Sequence, residues 1–149
     1  MAIFVYVLSI ILMILAPVIL AVIFRRRVRV PWFLFLAGML TFISSQVVHL
    51  PLNNWLTDIG ILPSTQEEMK SHVVVSALIL GASAGLCEEL ARAAGFALLK
   101  KWRKDEHGLF MGLGHGGIES MVFGGVQTAA MVSSLWSLQG TDLSTLNLT

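Results

Sequence analysis

A chain of 149 residues has the length of a single domain. Its make-up is not that of a soluble one: 56% of the residues are hydrophobic, 13% are charged and the mean hydropathy is +0.80, whereas soluble domains carry roughly a quarter charged residues. With Cys87 as its one cysteine and a formal net charge of +1, the chain is neither a disulfide scaffold nor a nucleic-acid binder; it is too apolar for a disordered tail and reads as an integral membrane protein.

Crossing a bilayer takes about 20 apolar residues, and four runs are long enough, giving an all-α, polytopic chain with a single transmembrane domain. The first covers about residues 2–24 and is closed by Arg25, Arg26, Arg27 and Arg29. Those basic residues follow the apolar run, and no Ala-x-Ala site comes next, so it reads as a span and not as a cleaved signal peptide. The second covers about 32–52. The third covers about 72–99 and is closed by Lys100, Lys101, Arg103 and Lys104; the fourth covers about 108–138. Eight of the ten Lys and Arg residues therefore lie in two short connections, which the positive-inside rule places in the cytoplasm, with both termini outside. Trp32 and Trp102 fall at the inner interface and Trp55 and Trp136 at the outer one, where amphipathic rings prefer to sit.

Between spans two and three, residues 53–71 form the one sizeable outer connection. Pro63 followed by Ser64-Thr65-Gln66-Glu67-Glu68 predicts a helix start, with Ser64 paired to Glu67 or Thr65 to Glu68 as a capping box. Capping accounts for both glutamates. The tail from Gly140 is polar, and Asn147-Leu148-Thr149 fits a glycosylation sequon.

Charge inside a span is costly. Span three carries Glu88, Glu89 and Arg92, and span four carries His115 and Glu119. A central charge costs roughly 2.5–3.5 kcal/mol by insertion scales, so the four ionised groups would total on the order of 10 kcal/mol if unpaired. Glu88 lies twelve residues before Lys100 and His115 eleven after Lys104, about 18 and 16 Å up their helices at 1.5 Å per residue. The two sets are thus expected to meet near mid-bilayer, as spans three and four form a hairpin. At about 100° per residue Arg92 falls about 40° from Glu88 and about 60° from Glu89, between the two carboxylates. Gly81, Gly85 and Gly95 share that side. His115 and Glu119 form an i, i+4 pair, and Gly108 and Gly112 on the same face suggest close approach of the two helices.

Three glutamates against one arginine leave an excess of negative charge. Protonation would remove it, since burial raises a carboxylate pKa; so would a divalent cation, and His with carboxylates is a suitable ligand set for zinc. Such a centre supplies a water nucleophile, with a free carboxylate as general base. A proton relay or transporter would use the same residues, and so would ion pairs that merely hold helices together. These readings stay open on the residues alone.

Cys87-Glu88-Glu89-Leu90-Ala91-Arg92, followed by Gly112-Leu113-Gly114-His115-Gly116-Gly117-Ile118-Glu119, resembles the YhfC family of intramembrane metalloproteases, relatives of the PrsW and CAAX-prenyl-protease group. The resemblance covers about residues 80–127. It implies a membrane peptidase in which Glu88 or Glu89 activates water, Arg92 orients or neutralises that pair, and His115 and Glu119, with Glu89 as the further candidate ligand, hold a divalent metal, zinc being the expected one. In the CAAX group Glu and His polarise water directly, which is the alternative to a metal that the resemblance also implies. Members of the family are longer and draw another His from further spans, so the resemblance also implies a fragment or a shortened form, inactive alone or serving as an interaction partner. The implied partners are membrane lipid and a membrane-associated peptide or protein substrate, with self-association left open and no nucleic acid.

The remaining polar residues read as structural. His49 and His72 are taken as interfacial and His107 as solvated beside Asp105 and Glu106. Gln127 and Thr128 are taken to bond a neighbouring helix, Cys87 as a small apolar residue beside Glu88, and Met111 and Met121 as packing.

Overall fold

The computed structural model describes residues 2–137, all of whose long elements are helical. The sequon at Asn147 and the polar tail lie outside the described residues. Helix α1 spans Ala2–Val28, α2 Trp32–Asp58, α3 Gln66–Ser71, α4 Val73–Leu98 and α5 Asp105–Glu119. A π-helical stretch, Ser120–Val126, follows without a break and leads into α6, Gln127–Ser137.

Among the described residues, three helices are long and apolar enough to cross a membrane: Phe4–Val28, Trp32–Asp58 and Val73–Leu98. Their outward surfaces are Leu, Ile and Val, for instance Leu40, Val47, Leu78 and Leu90, each more than half exposed; such a surface is untenable in water and ordinary against lipid. The chain is a multi-pass membrane protein. Helix α1 passes through Pro17 and α2 through Pro51, which carries α2 beyond the expected end near residue 52 to Asp58. The expected fourth span is not one α-helix. Its glycine-rich sequence widens into the π-helical turn immediately after Glu119, so the rod from Asp105 to Ser137 is made of three pieces.

Helix α3 starts as the capping pattern predicts. Thr65 Oγ1 accepts from the Glu68 amide at 3.2 Å, and the Glu68 carboxylate accepts from the Ser64 amide at 3.1 Å, so the Thr65–Glu68 alternative is the one formed.

The packing differs from the expected hairpin. Helix α2 is the hub, lying against both α4 and α5, while α4 and α5 hardly approach each other's backbone. The reason is in α2 and α5 themselves. A Cβ on Gly38 would overlap the Met111 carbonyl and the His115 amide, and one on Gly114 would overlap the Phe35 backbone. These two glycines let the backbones of α2 and α5 ride directly on each other. The expected Gly108–Gly112 approach to span three is not the one used. Gly108 meets only the Phe96 ring and Gly112 faces open space, as do Gly81 and Gly85; Gly95 does contact its neighbours, under Thr41 and Met111.

An aromatic cluster closes one end of the α1–α2–α5 contact. Phe110 is fully buried, with Phe24, Trp32 and Phe35 at 5.6–5.8 Å between ring centroids, and the Arg25 guanidinium lies 5.5 Å over Trp32. His107, expected to be solvated, is half-buried edge-on to Trp102. His49, expected at the interface, instead bonds α2 to α4: its Nε2 is 2.9 Å from Asn53 Nδ2 and 3.2 Å from Ser83 Oγ.

Candidate functional site

The ionisable residues of α4 and α5 do converge, in the angle left between two helices that α2 holds apart. His115 sits on α5 four residues before its end and is 2% exposed. Its Nε2 lies 3.5 Å from Glu88 Oε2 of α4. Glu119, one turn further along α5, completes a group in which ligand atoms of Glu88, His115 and Glu119 all lie within 4.8 Å of one another. Glu88 is largely buried and Glu119 partly exposed, so the group opens to one side.

Arg92 lies between the paired glutamates, as the helical spacing predicts. Its Nη2 donates to Glu89 Oε1 at 2.6 Å and its Nη1 to Glu88 Oε2 at 3.5 Å. The pair is thereby divided: Glu88 turns inward to His115, and Glu89, 73% exposed, turns outward and is held by Arg92. Of the three ligands expected from sequence, His115 and Glu119 stand in the cluster, and Glu88 occupies the place expected for Glu89.

Residues from α2 complete the surroundings. Thr41 Oγ1 is 2.9 Å from His115 Nδ1 and also donates to the Gly38 carbonyl at 2.7 Å. Phe42 stands edge-on to the imidazole with centroids 5.4 Å apart. Sequence reasoning missed both. A signal was present: Thr41 lies nine residues after Trp32, where α2 begins, about 14 Å along its helix, close to the depth that singles out Glu88 and His115. Cys87 is buried in α4 and stands outside the ligand group. The π-helical stretch begins at the residue after Glu119, and Ser120 Oγ donates to the Met13 carbonyl, anchoring that turn on α1; widened turns of this kind are frequent at functional sites.

The residues fit a divalent cation. His115 Nε2 is buried, has no hydrogen-bond partner among the described residues and points at the Glu88 carboxylate, a placement that a cation, or a proton shared with Glu88, would satisfy. One imidazole and two carboxylates offer the nitrogen and oxygen donors that zinc and other divalent ions accept.

The family model described as YhfC intramembrane metalloprotease matches residues 12–148, most of the chain. No curated protein and no solved structure matches it.

Proposed function

The chain belongs to the YhfC intramembrane metalloprotease family, and from that premise we propose that it hydrolyses peptide bonds of membrane-embedded or membrane-associated protein substrates. In this reading His115 and Glu119 hold a divalent metal, zinc by the chemistry of the donors, and Glu88 acts on water. The observation that carries the reading is the buried, unpartnered Nε2 of His115 facing Glu88 and Glu119.

A divalent metal there supplies Lewis acidity, polarising the scissile carbonyl and lowering the pKa of water toward about 7. The protein's own groups do the rest. Glu88 takes a proton from the attacking water and returns it to the departing amine. Arg92 holds Glu88 beside His115, and Glu89 holds Arg92 from its other side. We further propose that the rod Asp105–Ser137 is the fourth crossing, with both basic connections cytoplasmic and both termini outside, as the distribution of Lys and Arg favours. That arrangement sets the site near mid-bilayer.

The test is the metal content of the detergent-purified protein beside His115→Ala and Glu119→Ala, paired with cleavage of a reconstituted membrane substrate. Near one divalent ion per chain in the wild type, lost in both variants together with cleavage, is the expected result. Cleavage without bound metal would replace the metal with direct Glu/His activation of water. Absence of both metal and cleavage would remove the peptidase reading for this chain.

A further inference from the structure

Resting on the reading of His115 as a ligand, we propose that Thr41 is a positioning residue: it fixes the imidazole as the Nδ1–H tautomer and so turns the Nε2 lone pair toward Glu88 and Glu119. A threonine hydroxyl has one proton to give. Thr41 Oγ1 lies 2.7 Å from the Gly38 carbonyl oxygen, which can only accept, and 2.9 Å from His115 Nδ1. Two oxygens at 2.7 Å need a hydrogen between them, so the proton goes to Gly38. Toward His115 the hydroxyl therefore accepts, and the hydrogen of that bond belongs to Nδ1. A neutral imidazole carries one N–H. Its Nε2 is then a bare lone pair, and this is the buried atom without a partner that faces the carboxylates.

The hydroxyl is held in this role from two sides. Gly38 presents the carbonyl that takes the Thr41 proton, and the same residue, having no Cβ, lets the α5 backbone at Met111 and His115 come close enough for the bond to form. The Thr41 methyl rests over Gly95 of α4, where a Cβ would collide with it. Thr41 is 7% exposed, so water does not compete for either bond. Outer-shell partners of this kind set which imidazole nitrogen is free to ligate, and losing them typically weakens metal binding about 10–100-fold.

Ring nitrogen-15 NMR of metal-free protein in detergent reads the tautomer directly, with the His115 signal identified by its absence in His115→Gln. Wild type and Thr41→Ser should show Nδ1 protonated and Nε2 bare, whereas Thr41→Val, of the same shape without the hydroxyl, should lose that preference. Zinc titration should give an affinity about 10–100-fold weaker in Thr41→Val and restored in Thr41→Ser. A wild-type ring protonated on Nε2 overturns the proposal, and so does a Thr41→Val spectrum identical to wild type. Should Thr41→Val fail to fold, the wild-type spectrum decides alone. Zinc binding by none of the proteins, with the tautomer shift intact, would sink the metal reading and leave the role of Thr41 standing.

Discussion

Glu88 and His115 meet at 3.5 Å across two helices whose backbones hardly approach each other. The pair of glutamates is asymmetric for this reason: Glu88 looks into the angle between α4 and α5, and Glu89 looks out of it. The two should respond differently to loss of charge. Glu88→Gln is expected to lower the cleavage rate by about 10²–10⁴-fold, the usual worth of a general base. Glu89→Gln, which weakens only the hold on Arg92, should lose far less. Rates for the two variants on one reconstituted substrate check this, and equal losses would assign Glu89 a direct part.

Arg92 is the one cation among three carboxylates at this level, and its side chain is 31% exposed. Arg92→Ala should therefore destabilise the protein by an amount between the ~1 kcal/mol of an exposed pair and the ~3–5 kcal/mol of a fully buried one. Arg92→Lys should recover part of the loss, because an ammonium keeps the charge but cannot reach Glu88 and Glu89 with two separate nitrogens. Thermal unfolding in detergent separates the three proteins.

Glycine substitutions should sort by what each glycine touches. Gly38→Ala and Gly114→Ala place a methyl against backbone atoms that cannot swing aside, and overpacking of that kind costs about 1–3 kcal/mol. Gly112→Ala meets open space and should be tolerated. Melting temperatures in one detergent provide the comparison. A destabilised Gly112→Ala beside a neutral Gly38→Ala would reverse the helix packing described above.

The proposed orientation makes a labelling prediction. In a Cys87→Ser background, a cysteine at Glu67 should react with an impermeant thiol reagent on intact cells, and one at Lys101 should react only after the membrane is opened. The opposite pattern would invert the topology while leaving the site unchanged.

Three of the four apolar runs and the helical spacing of Glu88, Glu89 and Arg92 were legible because they depend on one segment at a time: period, length and charge are properties of the chain itself. The convergence of Glu88 with His115 and Glu119 was legible too, since depth can be counted from the flanking basic residues. The arrangement that brings them together was not. Gly108 and Gly112 had the spacing of a helix contact, but which glycines meet a backbone is decided by how α2 lies across α5, and Gly38 and Gly114 stand in no repeated pattern. Thr41 went unnoticed because a hydroxyl adds little to a hydropathy profile, and its meaning comes from a partner 74 positions away. The widened turn after Glu119 likewise lies against Met13 and Ile14 of α1, contacts that no local sequence signal announces.

Glu89, 73% exposed on the outward side of a membrane-length helix, has a consequence for the lipid around it. On the proposed crossing, a carboxylate and a guanidinium there would draw water and headgroups inward and thin the bilayer locally, because hydrocarbon cannot solvate them. The proposed hydrolysis consumes water, which the hydrocarbon core of a bilayer scarcely holds. The Glu89–Arg92 pair would then bring water to the outward side of α4, one side chain away from Glu88, through the same arginine that holds Glu88 in place.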